Sequence, residues 1–297
     1  MITGLRRSVL YVPCDSEKML AKAVEIPADM LLLNLEDGVA ASKKETARAN
    51  AVHALKSLDF GARELVVRIN SLSSEIGRSD LAAVVPCRPD GVCLPKIDAP
   101  AAVGVAEAAL SELEAAHGLP ERGLRLHVMI ESAAGVLDAR EIAASSARVA
   151  SLIFGSADYS EDARCLPGED RIELLLALQM IVAGAHAACI DAIDAPCFNL
   201  GSPDLLRREA SQARRFGFDG KGALHPAQVG VINEIFDVTS EEIAWAEKVL
   251  AELEDAERNR GRALSTLEGR LIDDPHRSAA ERILRRARLS RNFGVRP

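Results

Sequence analysis

Aromatic residues make up only 3 % of this 297-residue chain, too few for the stacking platforms that hold single-stranded nucleic acid. Positive charge is also in deficit. Lys and Arg number 36 against 44 Asp and Glu, and the net charge of −8 argues against a general nucleic-acid binder. Gly 20 and Pro 13 are too few for a low-complexity or collagen-like segment. No stretch approaches the ~18 uninterrupted apolar residues of a membrane span, and the arginines near the amino terminus precede no apolar run of signal-peptide length. A cytoplasmic protein with no membrane partner is the expectation. The cysteines at 14, 87, 93, 165, 189 and 197 form no Cys-x-x-Cys pair and do not read as a disulfide framework. Their apolar neighbours, as in Val92-Cys93-Leu94 and Ala188-Cys189-Ile190, predict buried reduced thiols.

What is present is a core-forming composition, 48 % hydrophobic and 27 % charged. Short aliphatic runs recur with helical patterns between them, predicting strands at 8–13, 30–36, 65–70, 91–96, 124–131, 151–158, 195–200 and 221–226. Most are apolar on consecutive positions, the pattern of parallel strands covered on both faces. Ser42, with Glu45 three positions on, predicts a helix start by capping box. Ala99 to His117 is a helix stopped by Gly118 and Pro120, and Ser202-Pro203-Asp204 opens another. Eight strand–helix units in about 235 residues fit an α/β fold of (β/α)8 TIM-barrel type. A doubly wound sheet is the alternative, weakened because no Gly-x-Gly-x-x-Gly follows the first strand. The barrel is placed at 1–236 and a C-terminal helical extension at 237–297, with helices over Glu241–Arg260 and Ala279–Leu289.

The carboxyl ends of these strands read Cys14-Asp15, Glu36-Asp37, Arg68 with Asn70, Lys96, Glu131, Asp158, Asn199 and His225. In a barrel all of them open onto one face. Glu131 and Asp158, from separate strands, suit a hard divalent cation such as Mg²⁺, which takes few protein carboxylates. Glu36 and Asp37 could hold its waters. Arg68 offers a planar fork to a substrate carboxylate, so that metal and arginine together make a receptor for a 2-oxo acid.

Arg7-Ser8-Val9-Leu10-Tyr11-Val12-Pro13, Leu35-Glu36-Asp37-Gly38-Val39-Ala40, Val67-Arg68-Ile69-Asn70 and Leu94-Pro95-Lys96 resemble signatures of the citrate lyase β-subunit-like lyases. So do Ile130-Glu131-Ser132, Phe154-Gly155-Ser156-Ala157-Asp158 and Gly217-Phe218-Asp219-Gly220-Lys221 followed by His225-Pro226-Ala227-Gln228. The resemblance, to the HpcH/HpaI aldolase and citrate lyase superfamily with its malyl-CoA and citramalyl-CoA lyases, covers nearly the whole chain in order. Departures are Cys14 for a usual Gly, Asn34 for Asp, Ser132 for Thr, and Gly201-Ser202.

The resemblance implies a Mg²⁺-dependent barrel that makes or breaks a carbon–carbon bond between a CoA thioester and a 2-oxo acid. By position it makes Glu131 and Asp158 the metal ligands and Arg68 the group that binds the oxo-acid carboxylate. His225 and Pro226 resemble a segment that contacts the acyl-CoA. Lys18, Lys22 and Lys43 are candidates for its phosphates from charge alone. Leu267 to His276 resembles the lid of CoA-specific members, in which Asp273 would be the general acid/base, closing over a neighbouring subunit in a homotrimer or hexamer. Read without the resemblance, Asp273 or Asp274 before Pro275 is a helix cap, and Asp274 fits the cap better. The tail favours free CoA over a carrier-protein thioester. The rivals are a malyl-CoA thioesterase, a citryl-ACP lyase subunit, a Schiff-base aldolase using Lys96 or Lys221, and a non-catalytic assembly subunit.

Overall fold

A computed structural model describes residues 4–291. They fall into two compact units, Arg6–Phe236 and the chain from Asp237 onward. The first unit is a closed barrel of eight strands in sequential order, each parallel to its neighbours, with β1 returning to β8. The strands are β1 (Ser8–Pro13), β2 (Met30–Asn34), β3 (Glu64–Arg68), β4 (Gly91–Leu94), β5 (Arg125–Ile130), β6 (Val149–Phe154), β7 (Asp191–Asp194) and β8 (Gly220–Ala223). Between and after them run α1 (Glu17–Ala23), α2 (Lys44–Ser57), α3 (Glu75–Val84), α4 (Pro100–Ala116), α5 (Ala133–Leu137), α6 (Ala139–Ala144), α7 (Ser156–Asp162), α8 (Leu175–Ala187), α9 (Pro203–Phe216) and α10 (Pro226–Phe236). The consecutive-apolar pattern has the expected origin. Val9, Met30, Leu32, Val66, Met129, Ile153 and Ile193 fill the barrel interior, while Leu10, Leu31, Leu33, Val67, Val128 and Leu152 pack outward against helices.

Closure depends on β8 lying close against the chain that enters β1. A Cβ on Gly220 would meet the Arg6 carbonyl oxygen at 1.8 Å, so only glycine allows that approach. Charged residues tie the strand starts together. Arg6 donates to Glu64 on β3 (2.5 and 2.7 Å) and to Asp191 on β7 (2.6 Å), and Arg7 pairs with Asp29 (2.9 Å).

Three local expectations are corrected. The seventh strand is Asp191–Asp194, not 195–200. Pro196 cannot donate to a ladder, whereas both aspartates tolerate burial because Arg6 holds one and Arg171 and Lys221 hold the other. Ser42 caps nothing: it sits inside a single 3₁₀ turn (Ala41–Lys43). α2 begins at Lys44, whose ammonium donates to the carbonyls of Leu35 and Glu36 (both 2.9 Å). Cys189 is exposed, because it occupies the left-handed position (φ +58°) just after α8, while Cys14, Cys93 and Cys197 are buried. The helix expected over Ala99 to His117 is observed as Pro100–Ala116, and the predicted Ser202 cap accepts from the Leu205 amide at 3.3 Å.

The second unit pairs α11 (Ser240–Arg260) with α12 (Asp274–Arg291) across a hairpin, β9 (Ser265–Leu267) and β10 (Arg270–Ile272). Glu268 and Gly269 both take positive φ, the two-residue turn that suits a hairpin's twist. Sequence periodicity missed this hairpin, each strand having only three residues. Thr239 and Glu242 form a capping box on α11, and Ala246, Val249, Leu253, Ile272 and Ala280 make a separate small core. Among the described residues no helix is long and apolar enough to cross a membrane.

Arg148 is wholly buried and bonds Glu114 through both terminal nitrogens (2.9 and 2.6 Å), tying β6's approach to α4. Glu114→Ala removes both short ionic contacts, leaving that guanidinium with Ser111, the Leu124 carbonyl and Glu107 at 3.9 Å, and is expected to cost about 3–5 kcal/mol in chemical denaturation. Combining it with Arg148→Met should recover most of the loss. Equal costs for the single and double variants would contradict a buried pair.

Candidate active site

The strand termini deliver Arg68 as the last residue of β3, Glu131 one residue beyond β5, and Glu36 and Lys96 two residues beyond β2 and β4. Asp158 is not a strand end as expected. β6 stops at Phe154, and Asp158 lies in the first turn of α7. Lys96, Glu131 and Asp158 nevertheless line one cavity of about 430 Å³. The turn between β6 and α7 passes directly over Glu131: a Cβ on Gly155 would fall 2.5 Å from the Glu131 Cγ, so glycine admits the carboxylate there.

Glu131 is buried (4 % exposed) and accepts the Lys96 backbone N–H at 3.1 Å. Burial, reinforced by the negative charges of Asp158 and Glu36, pushes its carboxyl up to about 7 despite that donor. This is a place of uncompensated negative charge. Among the described residues no group of three or more His, Cys, Asp or Glu is arranged to hold a metal ion. The candidate centre is a carboxylate pair, the hard-oxygen donor set that Mg²⁺ completes with water and substrate oxygens. The residues fit the ion on both counts, charge and donor chemistry.

Arg68 is buried and fixed from several sides. Its Nε donates to Asn34 Oδ1 (2.8 Å), its Nη2 to the Asp37 carbonyl (2.8 Å), and its Nη1 lies 3.4 Å from Glu36 Oε2. The guanidinium also stands 5.4 Å from the centre of the Tyr11 ring. Asn34 is the residue that sequence reasoning undervalued. Its Oδ1 also accepts the Glu36 amide (3.0 Å) and its Nδ2 donates to the Asp37 carbonyl, so one neutral side chain orients both the arginine and the acidic turn. Its standing as a departure from the family pattern was the available signal.

The lysine rivals fare poorly. Lys96 Nζ lies 3.3 Å from Glu36 and 3.2 Å from Asp37. Burial opposes its charge, but the hydrogen bond to Asp37 and both negative charges hold it above the ordinary lysine value, the reverse of what an amine nucleophile needs. Lys221 is fully buried on Asp194 (2.7 Å) and Glu209 (2.9 Å).

The remaining candidates lie apart from the cavity lining. His225 is exposed and its Nδ1 accepts the Ala227 amide at 3.2 Å; Pro226 begins α10. Gln228, which carried no assigned role, holds this loop: it accepts from Leu224 (2.8 Å) and donates to the Cys197 carbonyl (2.8 Å). Lys18 and Lys22 are exposed on α1, and Lys43 pairs with Asp15 at 3.1 Å. Asn70 ties Leu35 to Asp80, and Asn199 forms a turn after β7. In the second unit the expected cap is corrected. α12 starts at Asp274, so Asp273 is the residue before the helix, and its carbonyl accepts from His276 and Arg277 (3.0 and 3.1 Å). Proline is tolerated anywhere in the first turn, which is why its position misled. The Asp273 carboxylate meets His276 Nδ1 at 2.6 Å, with both side chains about half exposed.

Comparison with known proteins follows this geometry. Residues 7–226 match the HpcH/HpaI aldolase/citrate lyase family, and residues 177–295 match a C–C bond lyase family of the TIM-barrel fold. The citrate lyase subunit beta of Escherichia coli K12 is 35 % identical over 288 residues, spanning 97 % of this chain and 95 % of that one. A (3S)-malyl-CoA thioesterase of Cereibacter sphaeroides is 33 % identical over 289 residues, 97 % of each chain. The structure of CitE from Mycobacterium tuberculosis, in complex with magnesium, acetoacetate and coenzyme A, superposes with a TM-score of 0.76 at 29 % identity, covering 97 % of this chain and 99 % of that one.

The raised Glu131 carboxyl fixes a pH dependence. Below about 7 it holds a proton that a cation must displace, so Mn²⁺ affinity is expected to fall toward tenfold per pH unit as pH drops from 7. Titration by paramagnetic resonance between about pH 5.5 and 8.5 reads this directly. A flat profile would remove Glu131 from the ligand set.

Proposed function

The chain belongs to the HpcH/HpaI aldolase/citrate lyase family, and from that premise we propose that it is a Mg²⁺-dependent carbon–carbon lyase acting on a 3-hydroxy-3-carboxyacyl-CoA such as citramalyl-CoA or malyl-CoA. The supporting observation is the meeting of Glu131 and Asp158 on one cavity, in a group with more negative than positive charge. The magnesium held by the related M. tuberculosis CitE supports the same choice of ion. Glu131 and Asp158 would hold the Mg²⁺, which supplies Lewis acidity that lowers the pKa of a substrate hydroxyl and polarises an oxo group. Glu36 and Asp37, adjoining through Lys96 and Arg68, serve as acceptors for water around it.

Arg68 binds the substrate carboxylate. Its Nε and one Nη2 hydrogen are committed to Asn34 and Asp37, whereas Nη1 makes only long contacts, 3.4 Å to both Glu36 Oε2 and the Met129 sulfur, which a substrate carboxylate would displace. Asp273, contributed by a neighbouring copy in a homotrimer or hexamer, takes the proton from the substrate hydroxyl. The carbon–carbon bond then breaks, its electron pair passing into the thioester enolate while the hydroxyl carbon becomes the carbonyl of a 2-oxo acid. Asp273 returns the proton to the enolate carbon, giving acetyl-CoA, so atoms and charge balance. His276 orients that carboxylate from the same turn. His225 and Pro226 contribute to the acyl-CoA subsite, with Lys18 and Lys22 as phosphate contacts. The barrel and the helical tail act as separate domains of 1–236 and 237–297, of which 1–3 and 292–297 lie outside the described residues. The compartment is cytoplasmic.

A second reading rests on the relatives themselves. A malyl-CoA thioesterase and citrate lyase beta subunits match at similar identity over nearly the full chain, so hydrolysis, or lysis of a citryl thioester on a carrier protein, draws on the same machinery.

Incubation with citramalyl-, malyl- and citryl-CoA, with Mg²⁺ and with EDTA, should release acetyl-CoA and a 2-oxo acid from one ester in the metal arm alone. Free CoA with intact hydroxy acid would select the thioesterase instead. Glu131→Gln is expected to lower turnover by about a hundred- to a thousandfold, the scale of losing one preorganised electrostatic group, with an unchanged melting profile. Turnover that survives EDTA would refute the metal-dependent reading.

A further inference from the structure

Lys96 is built into the mouth in an unusual way. It takes φ +54°, the left-handed region that a residue with a Cβ seldom adopts. Strain of this kind persists only where the surroundings over-determine it, and it concentrates at functional sites. Here the surroundings are the acidic group itself. The Lys96 amide donates to Glu131 Oε1 (3.1 Å), and its ammonium reaches Glu36 Oε1 (3.3 Å) and Asp37 Oδ2 (3.2 Å). Its φ is the rotation about the bond from that amide nitrogen to the Cα that carries the side chain, and so sets the direction of one relative to the other. The positive value lets the amide address Glu131 while the side chain leaves toward the other two acids. The side chain is about half exposed and lines the cavity with Glu131 and Asp158.

We propose that Lys96 is a positioning residue, a clamp with two separable actions on a divalent cation. Its amide occupies Oε1 of Glu131 and so fixes the carboxylate with Oε2 available as a ligand. Its ammonium keeps Glu36 and Asp37 satisfied, so that these acids do not draw a cation of their own. The ion pairs in turn hold the strained backbone. The inference rests on the reading of Glu131 and Asp158 as the cation's ligands, and it adds a residue whose part is to decide where, and how many, cations bind.

Glycine and alanine separate the two actions. Both substitutions remove the ammonium, but glycine adopts positive φ freely whereas alanine does not. Mn²⁺ binding, followed by paramagnetic resonance and calorimetry without substrate, gives affinity and stoichiometry independently of turnover. Wild type should bind one ion. Lys96→Gly should keep that site at undiminished affinity and gain a second, weaker ion at Glu36 and Asp37. Lys96→Ala should gain the second ion as well, but bind the first about tenfold more weakly than Lys96→Gly, as the unanchored backbone relaxes. One ion in both variants, or equal first-site affinities, overturns the clamp. Should Lys96→Ala fail to fold, stoichiometry in Lys96→Gly still decides the ammonium's part. Wild type that binds no Mn²⁺ overturns the ligand assignment beneath the proposal, an outcome visible before any variant is made.

Discussion

The arrangement turns on charge crowding at the carboxyl rim of the barrel. Glu36, Asp37, Glu131 and Asp158 are gathered there with Arg68 and Lys96, and the cavity adds Asp98, Glu161 and Asp162 against Arg164, so that acidic side chains outnumber basic ones. Glu131 bears the cost most directly, because burial denies it the water that would screen its neighbours. Much around it is a response to that crowding. Asn34 is neutral where another carboxylate would deepen the deficit, yet it still orients Arg68 through Oδ1. A divalent cation would close the gap, which is why the electrostatics and the donor chemistry lead to the same ion.

A parallel barrel suits this task because it separates stability from reactivity. At the strand starts, Arg6 and Arg7 meet Glu64, Asp191 and Asp29 in paired, satisfied contacts. Lys221 and Arg171 likewise neutralise Asp194 within the wall. These charges are spent on holding strands together. At the other rim the acids keep part of their capacity unspent, and the scaffold beneath holds them at a fixed spacing.

The fold was largely legible in the sequence, because short apolar runs on consecutive positions, recurring between helical patterns, are what parallel strands covered on both faces require. Strand β1 coincides with its expected span, and the polar residues at the ends of β2 to β5 do converge. Legibility failed where tertiary partners override local preference. Asp191 and Asp194 look unlike strand residues until their arginine and lysine partners are known, so the expected β7 falls four residues late. Cys189 reads as buried because its apolar neighbours say nothing about a left-handed turn. Asn34, Gln228 and Lys96 act through hydrogen bonds between distant segments, which no periodicity records. The pairing of Asp273 with His276 gives that aspartate a local structural contact as well, which spacing alone does not reveal.

Family membership narrows the chemistry to the lyase-type reactions of a TIM barrel, while relatives of nearly equal identity are named for lysis or for hydrolysis. All of these readings share one claim, that Glu131 and Asp158 together hold the cation. Anomalous diffraction from crystals grown with Mn²⁺ tests it most directly. The account predicts a peak within bonding distance of both carboxylates, with Arg68 and Lys96 outside it. A peak on Glu36 and Asp37 instead, or none at the barrel mouth, would contradict it.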